Sequence, residues 1–115
     1  MAVKFDFKRL GQPFEADWPV RVNVPQDGGG VQAEDFTARF RLLTKDDFEA
    51  ITQGEAPGLL KGDPDGYNTW RMCLVGLKDE HLTAELKEGL LSAPYVRQAI
   101  IAAYQQFSQG IAVKN

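Results

Sequence analysis

Two stretches of alternating hydrophobic and polar residues lie in the first half of the chain. Val20, Val22 and Val24 alternate with polar residues, which is the period-two pattern of a strand with one buried face. Residues 36–42 repeat the pattern, and the glycine-rich turn at 25–30 connects the two stretches as a β-hairpin. The expected buried face of the second strand consists of Phe36, Ala38, Phe40 and Leu42. Because an isolated hairpin is marginally stable in water, this face is expected to pack on helices.

A short helix is predicted directly after the hairpin. The Thr44 side chain can cap its first turn, and the two acidic residues at 46 and 47 favour the positive end of the helix dipole. Phe48 and Ile51 lie three residues apart, on one face of this helix. The helix is expected to stop near Gly54, followed by a loop to Gly66.

Three further helices are expected in the second half. One runs from about Asn68 to Leu77, and two more meet at a break at residues 92–94. Gly110 is placed to cap the last of them. These patterns together predict an α+β fold, with an N-terminal β-hairpin packed on about four α-helices and a helix-rich C-terminal half.

The length of 115 residues predicts one domain. Residues 1–17 have a mixed pattern with a turn signal at Gly11-Gln12-Pro13. We expect them to form a loosely ordered arm with one short strand at Val3–Phe7. Residues 18–115 are expected to form the single domain.

Charge and composition limit the classes of partner. The net charge of −3 argues against unspecific binding to nucleic acid or to an anionic membrane. No window approaches the roughly 20 apolar residues of a membrane span, and the N-terminus lacks the apolar core of a signal peptide. The single cysteine forms no intrachain disulfide and suits a reducing compartment, so we expect a cytoplasmic protein.

Reactive side chains are few. Cys73 and His81 are the only thiol and the only imidazole, and together they allow the hypothesis of a small Cys–His enzyme. Cys73, however, lies beside Leu74 on the apolar face of its predicted helix, which favours a buried cysteine that acts as a small hydrophobe. His81 lies in a polar run and is interpreted as a solvated loop residue. We therefore expect no enzyme activity, no metal and no cofactor.

Two other motifs have a structural and a functional interpretation. Asp63-Pro64-Asp65-Gly66 resembles the start of a calcium loop, but glycine comes fourth and the twelfth position is Leu74, so a plain turn is the better interpretation. Arg21, Arg39 and Arg41 share the open face of the hairpin. They form either a small basic patch or, as we favour, a solvated face that keeps the sheet soluble.

Several motifs in order carry a resemblance to a known family. They are Trp18–Pro25, Phe36–Leu43, Cys73–Glu80, the helix from Thr83 to Leu91, and Pro94-Tyr95-Val96-Arg97 with the following Ala99, Ile100, Ala103, Tyr104, Gly110, Lys114 and Asn115. Over residues 18–115 this series resembles the small tail assembly chaperones of long-tailed bacteriophages, including prophage tail components. Leu77 departs from the pattern, because the family usually has Trp at this position.

The resemblance implies a non-enzymatic assembly factor. Such chaperones bind the tape measure protein, help to recruit tail tube subunits and leave before the tail is complete. The expected location is the cytoplasm of the bacterial host, with the protein absent from the mature virion. Self-association of the chaperone is a further expectation. The alternative interpretation is a structural minor tail or tail-completion protein of a prophage.

Four side chains are candidate partner contacts. Tyr95 and Tyr104 lie near helix borders, where aromatic residues often anchor interfaces. Leu74 and Leu77 mark the end of the second predicted helix. The same four residues also fit a second interpretation, in which they belong to the hydrophobic core.

Overall fold

The described part of the chain contains a three-stranded antiparallel sheet and four α-helices, which confirms the predicted α+β class. The computed structural model describes residues 3–54, 59–63 and 67–113. Residues 55–58 of the predicted loop and most of the motif at 63–66 lie outside these ranges. The elements are a 3-10 helix at Phe7–Gly11, strands β1 Glu15–Pro25, β2 Val31–Arg41 and β3 Leu74–Leu77, and helices α1 Lys45–Gln53, α2 Tyr67–Cys73, α3 Ala84–Ser92 and α4 Pro94–Gln109.

The predicted hairpin is present and longer than expected. β1 and β2 pair over their full length, from Glu15 opposite Arg41 to Pro25 opposite Val31. The connecting turn contains two glycines with positive φ. Because the alternation of polar and half-buried residues already begins at Glu15, the predicted boundary between residues 17 and 18 falls inside β1.

The predicted helix from Asn68 to Leu77 is wrong in its last four residues. α2 ends at Cys73, and β3 then pairs antiparallel to β2, with Leu77 opposite Ala38. Gly76 and the β-branched Val75 disfavour continued helix. Periodicity alone cannot distinguish so short an apolar run from the end of a helix.

The strand predicted at Val3–Phe7 is also wrong. The structure has no strand there, and a 3-10 helix begins at Phe7 instead. The carboxylate of Asp6 caps this turn by accepting a 3.1 Å hydrogen bond from the backbone amide of Lys8. Phe14 joins the segment to the domain, since its carbonyl accepts a 2.8 Å hydrogen bond from the amide of Leu42.

α1 begins as predicted with a reciprocal cap. Thr44 Oγ1 accepts the amide of Asp47 at 3.3 Å, and Asp47 Oδ2 accepts the amide of Thr44 at 2.7 Å. The Arg41 guanidinium donates to the same carboxylate at 3.0 Å. Partial burial acts to raise the pKa of Asp47, but the hydrogen bonds from Thr44 and then Arg41 outweigh it and lower this pKa. Ile51 is buried as expected, whereas Phe48 remains about half exposed.

The core lies between the sheet and α4. Phe40 is fully buried, and its ring meets the rings of Tyr104 at 5.7 Å and Phe107 at 5.8 Å between centroids. The expected position of Leu42 on this face is wrong, because β2 ends at Arg41 and the alternation ends with it. Leu42 turns to the surface, and Leu43 enters the core in its place.

The two C-terminal helices agree with the prediction. α3 ends at Ser92, and Pro94 opens α4 at its first helical position, where its missing amide costs nothing. Gly110 caps α4 in the left-handed conformation, with φ of 71°. Ile111 lies beyond this cap and is half exposed, so it does not continue the buried stripe of α4.

A buried amide holds residues 59–63 against α2. Asn68 is fully buried, and its Oδ1 accepts the amide of Leu60 at 2.8 Å. Its Nδ2 donates to the carbonyls of Leu60 at 2.7 Å and Ile51 at 3.2 Å. The side chain thus joins α1, α2 and the segment between them, which satisfies buried backbone groups.

Substitution of Gly54 by alanine should lower the free energy of unfolding more than the same change at Gly110. Both glycines have positive φ, 63° and 71°, so each substitution costs about 1 kcal/mol of backbone strain. At Gly54 the added Cβ would also lie 2.7 Å from the carbonyl oxygen of Leu60, whereas at Gly110 it meets nothing within 4 Å. Urea denaturation of both variants measures the difference, and equal losses would contradict the packing of 59–63 against Gly54.

Candidate partner-binding site

The four predicted contact residues differ in how far they are buried. Leu74 is 0% exposed and Tyr104 is 6% exposed, so neither offers a surface to a partner in this fold. Their burial fits the second interpretation, in which these two residues belong to the hydrophobic core. Leu77 is half-buried, and Tyr95 is 42% exposed.

The two buried residues have clear structural roles. Leu74 opens β3 opposite Phe40, and its carbonyl accepts a 2.8 Å hydrogen bond from the Lys87 ammonium. The hydroxyl oxygen of Tyr104 accepts a 2.9 Å hydrogen bond from the amide of Leu43. Burial raises the pKa of Tyr104. Tyr104 on α4 therefore holds the chain segment after β2 in place.

If Tyr95 is a partner contact, as the sequence predicted, its replacement by alanine should weaken binding of the tape measure protein more than it lowers stability. The side chain is partly exposed at the start of α4, so its removal leaves no large cavity. Binding and thermal unfolding of the variant, measured side by side, test this expectation. Equal affinity of wild type and variant would remove Tyr95 from the contact surface.

A different apolar surface lies at the N-terminal end of the domain. A cleft of about 630 Å³ separates the N-terminal segment from the C-terminal end of α4. We call it the N-terminal cleft, and its apolar lining comprises Phe5, Leu10, Pro13, Phe14, Leu42, Leu43 and Phe107.

The walls of the N-terminal cleft are held by contacts to the core. The Phe14 ring packs on the Phe107 ring with centroids 5.7 Å apart, and Phe107 in turn meets Phe40. The outer wall is open to solvent, because Phe5 is 51% and Leu10 is 74% exposed. Clustered apolar side chains at a surface are typical of sites that a partner covers.

Sequence reasoning missed this surface. Residues 1–17 have a mixed pattern, and the one element expected there, a strand at Val3–Phe7, is not formed and would not have gathered these apolar side chains into a surface. The signal that could have found it is density: Phe5, Phe7, Leu10 and Phe14 fall within ten residues. A segment with so many large apolar residues and no strand or helix face to bury them is a candidate contact surface.

The arginines on the open face of the sheet are mostly paired. Arg39 donates to Glu15 at 3.2 Å and to Asp17 at 3.1 Å, and both pairs are exposed. Arg41 pairs with Asp47 at 3.0 Å. This local neutralisation favours the solvated polar face over a basic patch.

The reactive side chains do not form a common site in the described residues. Cys73 is fully buried, and burial raises the pKa of its thiol to about 12, which is the reverse of an activated nucleophile. His81 is exposed in the turn after β3. Across residues 3–54, 59–63 and 67–113, no three His, Cys, Asp or Glu side chains group to hold a metal ion. None of the helices described is both long and apolar enough to cross a membrane.

Comparisons with protein-family models, with curated proteins and with solved structures find no match. The likeness to tail assembly chaperones therefore rests on the sequence motifs alone.

Proposed function

We propose that this protein is a non-enzymatic phage tail assembly chaperone that binds the tape measure protein and helps to recruit tail tube subunits. The observation that carries the proposal is the N-terminal cleft, a cavity of about 630 Å³ with a mainly apolar lining on a small α+β domain. Its lining offers mainly apolar contact area, which is typical of a surface that a partner covers.

The chemistry of a tape measure protein fits such a surface. A long amphipathic helix exposes an apolar stripe in water, and an uncovered stripe favours aggregation. A hydrophobic cleft covers the stripe by helix-in-groove contact, in which side chains spaced three and four residues apart enter the groove. Because a long helix presents many such stretches, weak contacts of several chaperone copies add up along one client.

The positions of the family-like motifs support the proposal. Trp18–Pro25 lies in β1, and Phe36–Leu43 covers most of β2 and the residues after it. The Pro94-Tyr95-Val96-Arg97 motif opens α4. The motifs thus lie on the sheet and on the helix that packs against it, which together form the core and one wall of the N-terminal cleft.

The proposal places the protein in the cytoplasm of the bacterial host and outside the mature virion. Immunoblots of purified mature tails and of lysates from cells that assemble tails test this directly. We expect the protein in the lysate and not in the purified tails, with the tube subunit as a positive control in both. Stoichiometric recovery in mature tails would contradict a chaperone that leaves before completion.

A structural minor tail or tail-completion protein is the second candidate. The third strand favours it. Structural tail proteins tend to be rich in β-structure, and the sequence patterns of this chain had indicated only two strands. The radius of gyration is 15.5 Å, against about 13 Å for a compact domain of this length, and the extents of 51 × 43 × 24 Å describe a flat molecule. The same immunoblots separate the two candidates, since a structural subunit stays in the purified tail.

A further inference from the structure

We propose that the N-terminal cleft selects amphipathic helices whose apolar stripe is flanked by acidic residues. This inference rests on the proposed function, because it names the chemistry of the client segment that the same cleft would bind. It is carried by the charges at the cleft, which are opposite in sign to the charge of the whole chain.

The charge inside the cleft is positive. Among the described residues that line it, Arg9 alone is charged, and the polar lining is otherwise neutral. Arg9 forms no ion pair in the described part of the chain. Its backbone is fixed by the 3-10 turn, since its amide donates to the carbonyl of Asp6 at 3.2 Å and its own carbonyl accepts the amide of Gln12 at 3.2 Å. The guanidinium is therefore available to a carboxylate on a bound helix.

The chain segment that carries Phe5 and Arg9 adds positive charge outside the cleft lining. Lys4 and Lys8 are exposed on the same segment, and neither forms an ion pair with a described residue. Asp6 is the one acidic residue between positions 3 and 14, and its carboxylate caps the 3-10 turn. The whole chain, by contrast, carries a net charge of −3. The basic character is thus local to this end of the molecule.

The C-terminal end of α4 lies against the same cleft, and the helix dipole gives this end a partial negative charge. Its effect is reduced, because the amide of Gly110 donates to the carbonyl of Phe107 at 3.2 Å and the amide of Ile111 to that of Gln106 at 2.9 Å. The full positive charge of Arg9 in the lining therefore outweighs the remaining helix-end carbonyls, and Lys4 and Lys8 on the adjoining segment exceed the single negative charge of Asp6. A helix with acidic flanks gains attraction to Arg9, Lys4 and Lys8, whereas one with basic flanks is repelled.

Three labelled model peptides test the inference by fluorescence anisotropy. Each is a 20-residue helix with the same leucine stripe, and its flanking positions carry Glu, Gln or Lys. Because the pairs are exposed, we expect the Glu peptide to bind roughly tenfold more tightly than the Lys peptide at low salt. The Gln peptide should lie between them, and the spread should shrink at about 0.5 M salt because the charges are screened.

Charge reversal on the protein provides the matched control. The double variant Lys8→Glu and Arg9→Glu should reverse the order and bind the Lys peptide best. Lys78→Glu changes the charge of an exposed residue that does not line the cleft, and it should leave the order as in wild type.

The outcomes separate the inference from the function on which it rests. Tight and equal binding of all three peptides would overturn the acidic selectivity and leave the helix-binding function standing. Failure of every peptide to bind would overturn both. Self-association of the protein alone, abolished by Arg9→Glu in sedimentation velocity, would show that a second copy occupies the cleft and would also overturn the inference.

Discussion

Replacing Phe40 with alanine should lower the free energy of unfolding by about 3–5 kcal/mol. The ring is fully buried between the sheet and α4, and it contacts the rings of Tyr104 and Phe107. Its removal leaves a cavity that β2 and α4 cannot close, since both are held by backbone hydrogen bonds and by neighbouring core residues. Replacement by aspartate should unfold the domain, because it places an unpaired charge in the same position.

Urea denaturation followed by circular dichroism measures the alanine effect, and solubility with thermal unfolding reports on the aspartate variant. Phe7→Ala is the matched control, since it removes the same side chain from a position that is 73% exposed. We expect its free energy of unfolding to stay within about 0.5 kcal/mol of wild type. A soluble Phe40→Asp variant with an unchanged melting temperature would show that the strand register is wrong.

Removing two apolar side chains from the outer wall of the N-terminal cleft should weaken client binding by roughly a hundredfold. The double variant Phe5→Ala and Leu10→Ala deletes an aromatic and an aliphatic contact, and each residue that anchors an interface contributes about 1–2 kcal/mol. Both side chains are at least half exposed, so their loss should cost the fold little. The variant therefore separates binding from stability.

Titration of wild type and double variant with the neutral model helix measures this loss. Val31→Ala is the matched control, because Val31 is an exposed apolar residue at the far end of the hairpin and does not line the cleft. We expect the control to bind like wild type. Equal affinity of the double variant and the control would place helix binding elsewhere on the domain.

The fold was predictable where several local signals agree. At α1, the capping residue Thr44, the two acidic residues in the first turn and the terminal Gly54 all predict the same helix. The structure contains this helix, with Gly54 in the left-handed conformation at its end. At α4, Pro94 and Gly110 mark the two ends in the same way. These signals depend on backbone chemistry within a few residues, so they do not need knowledge of tertiary contacts.

Elements that depend on distant partners were not predictable in this way. β3 exists because β2 offers it an edge, and its four residues carry no period of their own. The switch from Leu42 to Leu43 follows from where β2 ends against Tyr104, which is 61 residues from Leu43 in the chain. Both are tertiary effects that override the local pattern.

The candidate site was the least predictable part. A helical stripe shows which face of a helix is apolar, but it does not tell whether the protein core or a partner covers that face. Tyr104 and Leu74 are core residues, whereas Tyr95 is partly exposed. The N-terminal cleft needs Phe14 and Phe107 to meet across 93 residues of chain, and no local pattern predicts that contact.

The central claim is that this protein binds a long helical client through the N-terminal cleft. Affinity capture of tagged protein from host cells that assemble tails, with mass spectrometry of the partners, tests it most directly. The account predicts that wild type recovers one long helical protein, with or without tube subunits, and that the Phe5→Ala and Leu10→Ala variant loses it. Recovery of nothing except the bait itself, or equal recovery by both proteins, would contradict the account.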